Sequence, residues 1–166
     1  MKKFIISIDA GTTSNRAILF DLKGKPIFSS QKEFTQFFPK SGWVEHNPEE
    51  IWNTTKKVLK DVILKAKKLK GKILTIGITN QRETTVLWDK KTGKTVYRAI
   101  VWQDRRQADY CKKLKNQNKE TLIFNRTGLP IDSYFSGTKI KWILDNVPLA
   151  KKLMNKRQLK FGTIDS

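Results

Sequence analysis

The first part of the chain alternates short apolar runs with polar joints. The runs at residues 4–9, 16–21 and 26–34 predict three β-strands, since each is short, apolar and bounded by turn residues. The joints at 10–15 and 21–25 are too short for a crossover connection, so consecutive strands must be antiparallel neighbours. The chain is therefore predicted to open with a three-stranded meander.

A long helix is predicted next, over residues 48–70. Asn47 can cap the free amides of the first turn, and Pro48 suits the first helical position. The two acidic residues that follow complement the helix dipole. The predicted buried face consists of apolar residues at helical spacing, namely Ile51, Trp52, Leu59, Val62, Ile63, Ala66 and Leu69. Gly71 is expected to end the helix.

The second half of the chain mixes strands and helices. A buried strand is predicted at 73–79, and strands at 84–89 and 95–102 are expected to pair as a hairpin through the turn at 90–94. The remaining predicted elements are helices at 104–117, 136–145 and 149–156 and a strand at 159–164. The predicted fold class is α/β. Because the last strand closes where the chain stops, the domain is expected to be incomplete.

The composition indicates a globular protein outside the membrane. Of 166 residues, 38% are hydrophobic and 30% are charged, and no stretch reaches the roughly 20 apolar residues that a membrane span needs. The single cysteine, Cys111, cannot form an internal disulfide and has no neighbours at metal-ligand spacing. We therefore expect a cytoplasmic protein without membrane insertion.

The net charge of +19 raises the alternative of a nucleic-acid-binding module. The excess consists of 27 lysines against 7 arginines, spread along the chain. Specific nucleic-acid binders favour arginine, whose planar guanidinium reads guanine and clamps phosphates. A solvated, lysine-rich surface is the preferred interpretation, and no nucleic-acid partner is expected.

A candidate phosphate loop, Asp-Ala-Gly-Thr-Thr-Ser-Asn-Arg, occupies residues 9–16 between two predicted strands. It is not a Walker loop. Gly11 allows the backbone to turn tightly and approach a ligand. The backbone amides and hydroxyl groups of Thr12, Thr13 and Ser14 can hold phosphate oxygens. Asp9 could orient a hydrated Mg²⁺, and Arg16 adds positive charge. The alternative is an ordinary polar hairpin turn.

A second polar constellation suits a small polyol. Arg82 and Glu83 are adjacent between two apolar runs, so the guanidinium can donate to substrate hydroxyls and the carboxylate can accept from them, through charge-assisted bonds. Trp102 ends a predicted strand and could pack against the C–H face of a three-carbon chain. Tyr134 adds a rigid ring with a hydroxyl group. The alternatives are a solvated turn for the charged pair and a core position for the indole.

These motifs resemble a known family. The loop pattern D-x-G-T-x-x-x-R resembles the first phosphate loop of the superfamily that contains sugar kinases and actin. The segments at 42–46, 77–85, 100–106 and 134–142 resemble the glycerol kinases of the FGGY carbohydrate kinase family, and the likeness extends over 4–165. The resemblance implies the N-terminal actin-like ATPase (ribonuclease H-like) domain of a sugar kinase. It also implies ATP-dependent phosphorylation of glycerol to sn-glycerol 3-phosphate.

The resemblance also implies roles for individual residues. The implied glycerol ligands are Arg82, Glu83, Trp102 and Tyr134. The implied contacts to the ATP phosphates are Gly11, Thr12, Thr13, Ser14 and Arg16. Asp9 is the implied Mg²⁺-linked carboxylate, acting through water. Ala10 departs from the pattern, since glycerol kinases usually carry glutamine there.

Length is the larger departure. Family members continue well past Ser166, and the continuation carries the aspartate that deprotonates the attacking hydroxyl, the second phosphate loop and the adenosine pocket. Residues 1–166 are therefore expected to be a partial N-terminal domain that has no catalytic base and is inactive alone. Asp104 is the least implausible substitute base. Another FGGY sugar or polyol kinase and a non-enzymatic remnant are the alternatives, and a homo-oligomer of the full-length enzyme stays open.

Overall fold

The computed structural model describes all 166 residues, which fall into two compact units. Unit 1 contains Met1–Gln36, Asn47–Gln81 and Ile164–Ser166, and unit 2 contains Phe37–His46 and Arg82–Thr163. None of the helices combines the length and the apolar character that crossing a membrane would require.

The structure contains nine strands and five helices. In chain order they are β1 (Lys2–Ala10), β2 (Ser14–Asp21), β3 (Pro26–Glu33), β4 (Gln36–Phe37), β5 (Glu45–His46), α1 (Pro48–Lys68), β6 (Gly71–Thr79), β7 (Val86–Asp89), β8 (Ala99–Ile100), α2 (Ala108–Asn116), α3 (Glu120–Thr127), α4 (Ser136–Asn146), α5 (Pro148–Asn155) and β9 (Leu159–Gly162).

The predicted meander is confirmed in unit 1. Strands β1 and β2 pair antiparallel, with Asp9 opposite Arg16, and β2 pairs antiparallel with β3. The second joint closes through a hydrogen bond of 3.1 Å from Gly24 N to Asp21 O, with Gly24 at φ +79°. This left-handed conformation favours glycine. The short connections therefore fix the strand order, as the sequence predicts.

Strand β6 completes this sheet from the other side. It runs parallel to β1 after the α1 crossover, which gives the strand order β3-β2-β1-β6. The prediction of a strand is confirmed, but the prediction that it is buried is wrong. Leu74, Ile76 and Ile78 are exposed, because β6 lies at the edge of the sheet.

Helix α1 begins as predicted and buries most of the predicted face: Ile51, Val62 and Ala66 are buried, and Leu59, Ile63 and Leu69 pack against the core. The Asn47 side chain accepts a hydrogen bond of 3.0 Å from Glu49 N, and Pro48 is the first helical residue. The buried face consists of Ile51, Thr54, Val58, Val62 and Ala66. Trp52 is 58% exposed, contrary to the prediction, because it lies about 100° around the helix from this stripe.

Gly71 has a different role from the predicted one. The helix ends at Lys68, and the chain turns through Lys70 at φ +52° before Gly71 begins β6. A Cβ atom at Gly71 would lie 2.1 Å from the Phe4 ring. This glycine is therefore required by the close packing of Phe4 and not as a helix terminator.

Unit 2 is built from short strands and four helices. Its strands form a small sheet in the order β4-β5-β8 and an antiparallel pair of β7 with β9. The predicted turn at 90–94 is present, with a hydrogen bond of 2.9 Å from Gly93 N to Asp89 O. The predicted pairing of 84–89 with 95–102 is confirmed in part. Isolated antiparallel bridges join Trp88 to Thr95 and Thr85 to Ile100, but within 95–102 only Ala99–Ile100 is a strand.

The helices of unit 2 agree with the prediction in part. Helices α4 and α5 and strand β9 lie within two residues of the predicted bounds. Helix α2 begins at Ala108 and not at 104, because the backbone turns at Asp104 and its side chain caps that turn. Helix α3 was not predicted. Its apolar residues, Leu122, Ile123 and Phe124, are consecutive and do not form a stripe at helical spacing, and none of its residues is buried.

Candidate functional site

The candidate phosphate loop in unit 1 is a tight turn between β1 and β2. Gly11 N donates a hydrogen bond of 3.0 Å to Ser14 O, which closes the turn. A Cβ atom at Gly11 would lie 3.0 Å from that same oxygen. Any larger residue would therefore require the turn to shift, so the tight conformation depends on glycine at this position.

The turn is held by four hydrogen bonds from elsewhere in unit 1. The donors and acceptors are Gln81 Nε2 to Gly11 O (3.0 Å), Gln36 Nε2 to Thr12 O (3.1 Å), Phe34 N to Thr13 O (3.3 Å) and Gln31 Nε2 to Ser14 Oγ (2.8 Å). The backbone carbonyls of the turn are thereby satisfied within the protein. The amide and hydroxyl of Thr13 make no hydrogen bond, and this residue is exposed. The loop is therefore rigid and presents donors to solvent.

Three glutamines at this loop were missed by the sequence reasoning. Gln31 and Gln36 follow the loop by about twenty residues, and Gln81 lies 70 residues from Gly11 along the chain. Gln81 belongs to the same tract as Arg82 and Glu83. Nothing in the sequence indicates that Gln81 would bond to the phosphate loop.

Asp9 and Arg16 form an ion pair of 3.1 Å beside the loop, with exposed side-chain fractions of 39% and 46%. No group of three or more His, Cys, Asp or Glu residues forms a metal site in the chain. A single accessible carboxylate fits Mg²⁺ all the same, because Mg²⁺ usually keeps several waters and takes one or two carboxylates plus phosphate oxygens. The residues present therefore fit a hydrated Mg²⁺ and not a cage built by the protein alone.

Glu83 in unit 2 is held in an unusual conformation. Its backbone lies at φ +66°, in the left-handed region that non-glycine residues rarely adopt. Its Oε2 accepts hydrogen bonds from Ser136 N at 2.8 Å and Ser136 Oγ at 2.6 Å, where α4 begins. Its Oε1 makes no hydrogen bond within the chain. One carboxylate oxygen is thus anchored at a helix N-terminus, and the other is free to accept.

Lys139 supports the same turn from within α4. Its side chain is 1% exposed, and Nζ donates to Glu83 O at 3.1 Å and to Tyr134 O. Burial lowers the pKa of Lys139 to about 8, and the carboxylates of Glu83, Asp104 and Asp132 oppose that effect only in part. Ser136 and Lys139 lie in the segment at 134–142 that carries the resemblance, but nothing in the sequence indicates these contacts.

The structure brings the rings of Trp102 and Tyr134 together. Their ring centroids lie 5.9 Å apart at 65°, an edge-to-face arrangement. Trp102 N donates to Thr84 Oγ1 at 3.3 Å, and Tyr134 N donates to Asp132 Oδ1 at 2.7 Å. Glu83 joins this group because its neighbour Thr84 holds the Trp102 backbone and Lys139 holds the Tyr134 backbone.

Arg82 is the predicted member that the structure does not tie to this group. Its side chain is exposed and makes no hydrogen bond or ion pair within the chain. Its guanidinium donors are therefore all available to a ligand. Arg82 is near Glu83 only because the two residues are adjacent in the sequence.

Unit 2 contains a buried charge cluster formed by Arg106, Asp104 and Glu45. The Arg106 guanidinium is fully buried and bonds to Asp104 and Glu45, each at 2.8 Å. It stacks on Trp43 and Trp142, with Cζ 3.9 Å and 4.5 Å from the ring centroids. Burial alone would lower the pKa of Arg106, but the hydrogen bonds to the two carboxylates outweigh it and raise the pKa. The cluster is a structural centre of unit 2.

The same cluster removes Asp104 as a substitute base. Asp104 is 1% exposed, and its Oδ2 accepts from Val44 N at 2.7 Å as well as from Arg106. Its Oδ1 accepts from Arg106 N and Nε, both at 2.9 Å. Both carboxylate oxygens are committed inside the protein, so Asp104 cannot take a proton from a bound hydroxyl.

Comparison with known proteins gives consistent matches over the whole chain. The FGGY family of carbohydrate kinases, N-terminal domain, matches residues 4–166. The glycerol kinase of Alkaliphilus metalliredigens is 58% identical over 166 residues, which is 100% of this chain and 33% of that protein. The glycerol kinase of Oceanobacillus iheyensis is 58% identical over 165 residues, again with 33% of that protein covered. The chain thus spans about a third of the length of these relatives.

Solved structures agree on the fold. The structure of Plasmodium falciparum glycerol kinase with ADP matches 99% of this chain and 33% of its own chain, with a TM-score of 0.92 and 33% identity. A ligand-bound xylulose kinase from Lactobacillus acidophilus matches 98% of this chain and 31% of its own, with a TM-score of 0.83 and 26% identity. The predicted actin-like α/β architecture is confirmed by these matches.

Proposed function

Because the chain belongs to the FGGY family of carbohydrate kinases, we propose that it forms the first third of a glycerol kinase. Such an enzyme transfers the γ-phosphoryl group of ATP to glycerol and yields sn-glycerol 3-phosphate and ADP. The proposal is supported by relatives named glycerol kinase that are 58% identical over all or 99% of this chain. In this proposal the catalytic base is not among these 166 residues.

The observation that carries the proposal is the state of Glu83. Two donors of Ser136 fix Oε2, and the unusual backbone at φ +66° fixes the start of the side chain. The protein thereby holds Oε1 in a fixed position, although this oxygen forms no hydrogen bond within the chain. A backbone conformation of this kind costs about 1–3 kcal/mol and is common where a side chain must be positioned for a ligand.

Glycerol offers the groups that this site lacks. A glycerol hydroxyl would donate to Glu83 Oε1, and the exposed Arg82 guanidinium would donate to hydroxyl oxygens, with both bonds strengthened by charge. The Trp102 and Tyr134 rings would cover the C–H face of the three-carbon chain, and the Tyr134 hydroxyl, which makes no bond in the chain, would serve as a further partner. A three-carbon polyol suits this set of one carboxylate, one guanidinium and two rings.

The loop between β1 and β2 would hold the phosphates of ATP. The exposed Thr13 amide and hydroxyl are free donors, and the tight turn at Gly11 allows close approach of the backbone. The other phosphate contacts in this proposal are Thr12, Ser14 and Arg16. Arg16 is paired with Asp9 at 3.1 Å, so binding of phosphate would exchange that partner for phosphate oxygens.

Mg²⁺, when bound near Asp9 through water, would neutralise charge on the phosphates. The residues of this chain orient the two substrates, which is the main demand of phosphoryl transfer. Glu83 and Arg82 fix one glycerol hydroxyl so that its oxygen can form the new bond to the γ-phosphorus. The bond from that phosphorus to the β-phosphate oxygen breaks, and the electron pair leaves with ADP. The hydroxyl proton passes to the catalytic base, which this proposal places outside these 166 residues.

The test uses a chimera in which this chain replaces the matching third of the Alkaliphilus metalliredigens glycerol kinase. In it, Glu83→Gln should lower kcat/KM for glycerol at least tenfold and leave the KM for ATP within twofold. The loss of one charge-assisted bond with its partner left unpaired is worth about 1–3 kcal/mol, and about 1.4 kcal/mol corresponds to tenfold.

Glu49→Gln is the matched control, since Glu49 is exposed and its side chain forms no hydrogen bond or ion pair. It should leave both kinetic constants unchanged. Unchanged glycerol kinetics in Glu83→Gln would contradict the site assignment. A chimera that prefers a pentose or pentitol to glycerol would favour another FGGY kinase instead.

A further inference from the structure

Lys139 is a buried lysine with no assigned role. The protein has 27 lysines, and Lys139 is the only one that is buried. It lies in the second turn of α4, and no carboxylate lies within ion-pair distance of its ammonium group. The charge is therefore not present to complete a salt bridge.

Keeping a charge at this place is costly. An ammonium group loses its hydration on burial, and a side chain of similar length without charge, such as methionine, would fill the same space at lower cost. The pKa of Lys139, lowered by burial to about 8, agrees with this cost. A specific gain must offset it, and the partners of Nζ show what that gain is.

Both partners of the ammonium group belong to the proposed glycerol site. Nζ donates to the backbone carbonyls of Glu83 and Tyr134, residues 56 and 5 positions away in sequence. The Glu83 carbonyl also accepts from Thr85 Oγ1 at 3.1 Å, which fixes the same strained turn. The Tyr134 ring centroid is 5.9 Å from Nζ. The Lys139 ammonium group thus sets the spacing between the segment that contains Glu83 and the segment that contains Tyr134.

We propose that Lys139 is a positioning residue for polyol binding, which clamps the carbonyls of Glu83 and Tyr134 so that the free Glu83 oxygen and the Tyr134 ring stay at a fixed separation. This proposal rests on the proposed function, because the two clamped residues are its glycerol ligands. Lys139 does not touch the substrate, and it acts through the backbone of the residues that do.

The test compares Lys139→Met with the unmodified chimera. The KM for glycerol should rise at least tenfold, whereas kcat should change less than threefold and the KM for ATP less than twofold. A merely structural role predicts a different result, because partial unfolding lowers the active fraction and therefore kcat, and leaves the KM of the remaining enzyme unchanged. An unchanged KM for glycerol would overturn the proposal.

Lys141→Met is the control on the same helix. Lys141 is 43% exposed and pairs with Asp145 at 2.7 Å, so its loss should change neither KM. Failure of the proposed function would appear separately, as absence of glycerol turnover in the unmodified chimera. The KM comparison then uses whichever polyol that chimera phosphorylates.

Hydrogen exchange gives a readout without turnover. If the ammonium group clamps both segments, the amides of residues 83–85 and 134–136 should exchange at least tenfold faster in Lys139→Met than in Lys141→Met. Faster exchange in only one of the two segments, or in neither, would contradict a clamp that joins them.

Discussion

Replacing Arg106 with methionine should lower the free energy of unfolding of unit 2 by about 3–5 kcal/mol. The substitution leaves the buried Asp104 carboxylate without a cation and leaves Glu45 with only Arg98, whose Nη1 lies 3.7 Å from Oε2. Glu45 is 2% exposed and Asp104 is 1% exposed, so water cannot hydrate either carboxylate in place of the guanidinium. A typical domain is stable by only about 5–15 kcal/mol. The substitution should therefore remove a large part of the stability of unit 2.

The structure supports a value in the upper part of this range. Three side-chain hydrogen bonds of 2.8–2.9 Å disappear, two to Asp104 and one to Glu45. The guanidinium also leaves its stacked position on Trp43 and Trp142, and a desolvated cation–π contact is worth up to about 2 kcal/mol. Packing by the methionine side chain should offset a part of the loss.

The neighbouring residue provides the control. Arg105 also forms an ion pair, with Asp132 at 3.1 Å, but the two side chains are 61% and 43% exposed. An exposed pair of this kind contributes about 0–1 kcal/mol. Arg105→Met should therefore cost less than about 1 kcal/mol, although it removes the same charge from the adjacent position.

Urea unfolding of the 166-residue chain, followed by tryptophan fluorescence, measures the difference. Four of the five tryptophans lie in unit 2, so the signal reports mainly on that unit. Arg106→Met should lower the urea midpoint by about 1–5 M, given an m-value of about 1–3 kcal/mol per M. Equal shifts in the two variants would refute the reasoning.

A second comparison tests the cause of the loss. If uncompensated carboxylates dominate, then neutralising them with Glu45→Gln and Asp104→Asn in the Arg106→Met background should recover stability. The double substitution in the unmodified chain should instead destabilise, because it leaves the guanidinium buried without a counter-charge. Further destabilisation of the Arg106→Met variant would show that packing and not charge sets the loss.

Two further predictions concern the loop and the buried lysine. Gly11→Ala should raise the KM for ATP of the chimera several-fold, because the added Cβ would lie 3.0 Å from Ser14 O. Gly77→Ala is the control and should leave this KM unchanged, since a Cβ there meets nothing within 4 Å. An unchanged KM in Gly11→Ala would contradict a phosphate role for the turn. Burial lowers the pKa of Lys139 from 10.5 to about 8, so in this window the unfolded chain binds more protons and stability rises with pH. In Lys139→Met this rise in the free energy of unfolding, at most about 3 kcal/mol, should be absent. Urea unfolding measured from pH 7.5 to 10.5 tests this, and identical pH profiles in the two proteins would refute it.

Short-range features were predictable from the sequence. The meander follows from joints of a few residues, and the start of α1 follows from Asn47 and Pro48, because turn and cap chemistry acts within a few positions. The adjacent pair of Arg82 and Glu83 was also visible, since charged residues between two apolar runs stand out by composition alone.

The exposure of apolar residues was decided by the tertiary structure. Trp52 and Ile78 look like core residues in the sequence but are 58% and 61% exposed. Periodicity gives the spacing of a helical or extended face, and it does not say which strand lies at the edge of a sheet or where the boundary of the buried stripe falls.

The partners of the charged groups were likewise decided by the tertiary structure. Ser136 is 53 positions from Glu83, Glu45 is 61 positions from Arg106, and Gln81 is 70 positions from Gly11. A sequence shows that a carboxylate or a lysine is present, but its pairing depends on packing between distant segments. By itself the sequence determined which chemical groups this protein carries and the local elements that bear them. Only the tertiary structure decided which oxygen of Glu83 is held and which is free, because the holding residue lies far away in the sequence. It also decided that Lys139 is buried, because burial depends on the exclusion of water by distant segments.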